Sequence, residues 1–171
     1  TFDVSQGKLE CLALSSVNFN GSSDYIDINN PLKDWTEAAQ KTMSVWVRNG
    51  GNTDDSRVFG TGFSDPANTA FGLGVDTDAD NTAYYFLRDT GGAAIKESFG
   101  TAMAVDEWYH FVIVQDGANN TAYAYQDGVL QATEANVGEI TQTTTTDAKI
   151  GAHWNISNGN YFDGAVRDLK L

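Results

Sequence analysis

Oxygen-bearing side chains gathered in turns are the main chemical resource of this 171-residue chain. A hard cation such as calcium takes about six to eight oxygen ligands, and clustered aspartate and asparagine are the residues that supply them. The run Asp76-Thr77-Asp78-Ala79-Asp80 has the opening spacing of an EF-hand loop. Its sixth position is Asn81 where a glycine is needed and its twelfth is Leu87 where an acid is needed, so the EF-hand is excluded. A solvated acidic turn is the reading for this run, as it is for Asp54-Asp55. Other chemistries have less to draw on. One cysteine, Cys11, and two distant histidines, His110 and His153, do not make a tetrahedral zinc site. No Gly-x-Ser-x-Gly nucleophile elbow occurs, and Gly72-Leu73-Gly74 lies inside a strand pattern and opens no phosphate-cradling helix. The six glutamates (Glu10, Glu37, Glu97, Glu107, Glu134 and Glu139) are scattered, and none sits two residues from an aspartate within a strand. The paired carboxylates of a glycosidase are therefore not in view, and the chain is read as non-enzymatic.

The elements that must position these residues read as all-β. Seventeen glycines and only two prolines accompany short alternating segments, with no long helical period. Strands are predicted over 16–20, 25–28, 42–48, 56–61, 70–76, 82–89, 93–99, 108–115, 121–126, 129–132, 149–152 and 161–171. The segment 108–115 is apolar on both alternating sets, as suits a central strand. Asp127-Gly128 between two such runs is the strongest hairpin signal. One short helix is expected over 32–41, where Leu32 to Lys41 follows Pro31. Trp46 and Trp108 are expected to anchor the core, and His110 to be a satisfied buried histidine. Half of the Tyr84-Tyr85 and Tyr123 to Tyr125 aromatics must face inward.

Composition bounds the partners. Ten lysines and arginines against 23 aspartates and glutamates give a net charge of −13. That balance repels phosphate backbones and anionic headgroups, so nucleic-acid and membrane-surface roles are disfavoured. No apolar run approaches the ~18 residues of a membrane helix, and residues 1–14 lack the basic start and apolar stretch of a signal peptide. The 41% of hydrophobic residues is enough for one core, and residues 1–171 are read as a single domain. The end Asp168 to Leu171 has strand alternation without a terminator, so the domain is expected to belong to a longer polypeptide or assembly. Sequons at Asn20, Asn119 and Asn155 match the frequency that an Asn- and Thr-rich chain produces by chance.

Five blocks in order carry a family resemblance: Val17 to Ile28, Met43 to Arg48, Glu107 to Val114, Ala122 to Gly128, and Lys149 to Gly151 with Tyr161 to Leu169. In this combination the chain resembles the laminin-G-like, or concanavalin-A-like, jelly rolls, in particular their pentraxin-like subset. The resemblance implies a two-sheet antiparallel jelly-roll sandwich in which Val17 and Phe19 face the core. It implies that the first and last strands pair, bringing Asn20 and Asp24 near Asp163, where many members hold a structural calcium. Asn20 and Asp163 also precede Gly21 and Gly164, so plain turn formation is the alternative.

Pentraxin ligand loops correspond here to Ser64 to Asn68 and to His153-Trp154-Asn155. The second loop lacks the family's carboxylates, which argues against the two-calcium mechanism. A sugar is the expected ligand instead, with Trp154 stacking on a pyranose and Asp65, Asn68, His153 and Asn155 bonding its hydroxyls. The function expected is a binding or adhesion module on a cell or virion surface, outside the cell, whose partner is a glycan or surface glycoprotein. The alternative is a structural decoration domain contacting neighbouring subunits.

Overall fold

The computed structural model describes residues 2–3, 10–11, 15–28, 40–51, 55–62, 70–76, 81–88, 94–138, 147–153 and 155–171. Within these lie fourteen strands: β1 (Phe2–Asp3), β2 (Glu10–Cys11), β3 (Val17–Asn20), β4 (Ile26–Asp27), β5 (Gln40–Asn49), β6 (Ser56–Gly62), β7 (Ala70–Asp76), β8 (Thr82–Arg88), β9 (Ala94–Phe99), β10 (Trp108–Asp116), β11 (Thr121–Gln126), β12 (Val129–Ala135), β13 (Asp147–Ile150) and β14 (Asp163–Lys170). Two of them, β1 and β2, pair with each other. The rest form two six-stranded antiparallel sheets, a first of order β12-β11-β10-β5-β14-β3 and a second of order β4-β13-β6-β7-β8-β9. Each element arises where alternate apolar residues can be buried between sheets.

The core lies between the inner faces. Met43, Val45, Val47, Phe111, Ile113, Ala122 and Ala124 come from the first sheet, and Phe59, Phe71, Leu73, Val75, Ala83, Tyr85, Leu87 and Phe99 from the second. Phe99 meets Phe111 edge-on across the two layers at 5.8 Å between centroids. Burial pushes the Tyr85 hydroxyl up to about 12. The connection from β9 to β10 is fastened to the first sheet by the buried Gln126. Its Oε1 accepts from Thr101 N at 2.8 Å and its Nε2 donates to Thr101 Oγ1 at 3.2 Å. The β11–β12 hairpin turns at Asp127 (φ 52°) and Gly128 (φ 80°), the left-handed pair that the Asp-Gly signal predicts.

Several expectations need correction. Trp46, Trp108 and His110 are half-buried and alternate with the core residues of β5 and β10, so they lie on the outer face of the first sheet. Their register is set by Val45, Val47, Phe111 and Ile113, whose inward burial leaves the intervening positions outside. Phe19 is buried but Val17 remains 47% exposed, because β3 is an edge strand and Val17 lies at its end. Gln40 and Lys41 open strand β5, ending any helix before them, and the rest of the expected helix, 32–39, lies outside the described residues.

Candidate functional site

The outer face of the second sheet has a floor of glycines. In register across β6, β7 and β8 run Gly60, Gly72 and Phe86, and beside them Arg57, Gly74 and Tyr84. A Cβ on Gly74 would lie 2.1 Å from Ser56 O and 2.5 Å from Tyr84 Oη, so only glycine lets the tyrosine lie flat there. Tyr84 is 1% exposed although it faces outward. Arg57 and Lys96 cover it, with Arg57 Cζ 5.0 Å and Lys96 Nζ 4.5 Å from the ring centroid. Its hydroxyl donates to Ser56 O at 3.1 Å, and burial pushes it up to about 12. The Arg57 guanidinium also lies 4.9 Å from the Phe86 centroid.

Lys96 bridges two carboxylates, Asp55 and Asp76, the latter at 3.2 Å. Burial alone would raise the Asp76 carboxyl, but the Ser98 hydroxyl at 2.9 Å and the Lys96 ammonium outweigh it, and the group is held below 3.8. Burial likewise works to lower the Lys96 ammonium, yet its hydrogen bonds to Asp55 and Asp76 leave it raised. This rim is an internally compensated ion cluster, and it fixes the edge of the face next to Arg57.

A shallow notch of about 10 Å³, room for about one water, lies beyond Arg57, lined by Arg57, Thr61, Gly72, Phe86 and His153 together with Gly60 and Phe71. The Thr61 hydroxyl is committed to the backbone, accepting from Phe71 N at 3.2 Å. His153 Nδ1 lies 3.0 Å from Asn155 N and 3.1 Å from Asn155 O. Neutral imidazole protonated at Nε2 accepts from the N–H, whereas a proton on Nδ1 would donate to the carbonyl oxygen instead. Burial first, and then the positive charge of Arg57, hold the His153 ring below its usual 6.5. Whichever nitrogen carries the proton, Nδ1 ties the ring to the Asn155 backbone.

The other expected site residues fall unevenly about this notch. Asp65, Asn68 and Trp154 lie outside the described residues. Asn155 is close in space, but its side-chain oxygen caps the short 3-10 turn Ile156–Asn158 by accepting from Ser157 N at 3.1 Å. Arg57, Phe86 and the glycine floor were not singled out from the sequence. The signal that points to them is glycine recurring inside the strand pattern at Gly60, Gly72 and Gly74, which marks close approach over a sheet face.

At one end of the first sheet, Asn20 and Asp163 are direct register partners on β3 and β14. Asn20 Oδ1 accepts from the backbone N–H groups of Ser22, Ser23 and Asp24 at 3.0, 2.9 and 3.1 Å. Asn20 thus builds the turn that carries Asp24. Asp163 lies against Gly21 and Gly50, where an added Cβ would come within 2.9 Å of its Cβ and 2.8 Å of its Oδ1. The carboxylates of Asp24 and Asp163 have the chemistry a hard cation requires, while the Asn20 oxygen is already engaged. Among the described residues no group of three or more His, Cys, Asp or Glu side chains is placed to hold a metal ion.

Comparison with solved structures places this architecture. A SAP-like pentraxin from Limulus polyphemus matches with a TM-score of 0.67 at 18% identity, covering 91% of this chain and 74% of that one. The CBM40 of Ruminococcus gnavus IT-sialidase, bound to α2,3-sialyllactose, matches with a TM-score of 0.72 at 14% identity, covering 91% and 88%. Mouse laminin α1 domains LG4-5 match with a TM-score of 0.62 at 13% identity, covering 92% and 41%. The chain spans about a quarter of the NanB sialidase chains that it also matches. No curated protein matches its sequence. The family model described as the concanavalin A-like lectin/glucanases superfamily covers residues 20–171, from the Asn20 turn through the closing strand β14. With its two antiparallel sheets and that span, the chain belongs to the laminin-G-like domains of the concanavalin A-like lectin/glucanase superfamily.

Proposed function

We propose that this chain is a non-catalytic carbohydrate-binding module, exposed outside the cell, and that a sugar lies across the outer face of its second sheet over the notch beside Arg57. The observation that carries this reading is the arrangement of Arg57, Phe86 and His153 over the glycine floor. A planar cation lies on an aromatic ring, and an imidazole stands at the same notch. Such a face offers the stacked guanidinium and the imidazole as polar groups for sugar hydroxyls, beside the apolar edge of Phe86. Support also comes from relatives in fold, of which one binds α2,3-sialyllactose and another, domain 4 of the arabinanase AbnA, is in complex with arabinotriose. Asp65, Asn68, Trp154 and Asn155 are proposed to complete the rim from the flanking loops. A structural calcium is proposed at the Asn20 turn, with Asp24 and Asp163 as its carboxylate ligands.

A glycan array followed by calorimetry on the best hit tests the reading. Arg57→Gln and Phe86→Ala are each expected to weaken binding about tenfold or more, because each removes a buried contact of the order of one charged hydrogen bond. Unchanged affinity in both variants would rule out this face. One observation favours the second reading, a decoration domain that contacts neighbouring subunits. The edge strand β12 exposes Val129 (60%) and Leu130 (49%), and concentration-dependent sedimentation would reveal contacts made there.

A further inference from the structure

The outer face of the first sheet carries a second arginine stack, built differently from the Arg57 notch. Arg167 and Trp46 are register partners on β14 and β5, and Trp46 in turn faces His110 on β10. The Arg167 guanidinium lies between two indoles, with Cζ 5.0 Å from the Trp46 centroid and 4.5 Å from that of Trp108. The stack continues on both sides. His110 lies 5.0 Å from Trp46 and is held by Ser44 Oγ at 2.8 Å, and Arg48 lies 6.0 Å from Trp108.

The two arginines differ in charge compensation. Arg48 donates to Asp106 Oδ1 at 2.9 Å and to Asn18 Oδ1 at 3.2 Å. Arg167 has no carboxylate partner among the described residues, and its Nε is buried without an acceptor. A half-buried guanidinium with an unsatisfied Nε and no carboxylate partner among the described residues is held there by its two indoles, and a carboxylate brought by a ligand would answer it. With its carbon held against both indole rings, the guanidinium has its N–H edge to offer a ligand. That edge matches a carboxylate in the paired, bidentate geometry. Lys170, exposed on the same face opposite Ser44, adds a second cation nearby.

We propose that this face is a second binding site, distinct from the Arg57 notch, for an acidic saccharide whose carboxylate pairs with Arg167 and whose ring rests on the rims of Trp46 and Trp108. The proposal rests on the carbohydrate reading only for the class of ligand. An acidic protein segment would bring several carboxylates against a net charge of −13, each on a flexible stem that loses freedom on binding. A sugar brings one carboxylate on a rigid ring.

The test is a titration of the intact chain followed by NMR at the indole N–H signals of Trp46 and Trp108, assigned with Trp46→Phe and Trp108→Phe. The probes are α2,3-sialyllactose and a methyl galacturonide monosaccharide, with lactose and methyl galactoside as neutral counterparts and an oligoglutamate peptide as the protein-like competitor. The acidic saccharides are expected to shift both signals and the neutral ones to leave them in place. Arg167→Lys, which keeps a cation on the stack, is expected to weaken the acidic saccharides about tenfold or more, since ammonium cannot make the paired contact. Equal shifts from the neutral counterparts, unchanged affinity in Arg167→Lys, or preferential binding of oligoglutamate would each overturn the proposal. Loss of acidic-saccharide binding in Arg57→Gln but not in Arg167→Lys would also overturn it, while leaving the carbohydrate reading of the other face intact. If no saccharide binds at either face, both readings fail together.

Discussion

His153 is the residue whose chemistry depends most on its surroundings. Burial and the neighbouring Arg57 charge hold it below its usual value, so the folded chain takes up a proton at lower pH than the unfolded chain does. The sign follows directly. Its contribution to stability is fully present above about pH 6.5, the unfolded value, and is lost as pH falls from there through the lowered folded value. Urea midpoints measured between about pH 7 and pH 5 are expected to decline in the native chain and to decline less in His153→Gln. Equal slopes would show that the ring is not the responsible group. Asp76 contributes in the opposite range, since its lowered carboxyl titrates below 3.8, so the two are separable by pH alone. His153 was legible from the sequence as a candidate through its family position. Its pairing with Arg57 was not, because 96 residues separate them and only the β6–β13 ladder brings their strands together.

Strands were the most legible elements, because period-two burial is written into the residue types. Segments 70–76 and 121–126 match their strands at both ends, and Asp127-Gly128 turns where its residue types demand. What the pattern could not decide was which face points inward when both alternating sets are apolar. In β10 the set Trp108, His110, Val112 and Val114 competes with Tyr109, Phe111 and Ile113, and the second wins the core. Trp108 was misplaced for that reason, whereas Trp46 was misplaced although its own set, Ser44, Trp46 and Arg48, is polar beside the apolar Met43, Val45 and Val47. Connections between elements can be tested in the same spirit. Gln126→Ala removes both bonds to Thr101 and empties a buried side-chain position, which should cost about 1–3 kcal/mol in urea unfolding. A loss below ~0.5 kcal/mol would mean that the β9–β10 connection is held by something other than this glutamine.

At the scale of the whole molecule, the two sheets present two outer faces that share one device, an arginine laid across two aromatic rings: Arg57 on Tyr84 and Phe86, and Arg167 on Trp46 and Trp108. The calcium proposed at the end of the sandwich where β3 meets β14 can be tested on the whole molecule. Thermal melts after EDTA treatment, with and without millimolar calcium, are expected to differ by several degrees, as a ligand near 100 times its Kd stabilises by about 2.7 kcal/mol. The difference should vanish in Asp163→Asn, and identical melts in the native chain would remove calcium from the account. The amino-acid sequence by itself determined the all-β class, most strand positions, the Asp127-Gly128 hairpin turn and the net charge of −13, because these follow from local side-chain period, turn chemistry and summed charge. Only the tertiary structure decided which alternating face became core, which arginines found carboxylates and which glycines became a floor. Those outcomes depend on pairing register between strands distant in the chain, and a shift of one residue would send every side chain of a strand to the opposite face.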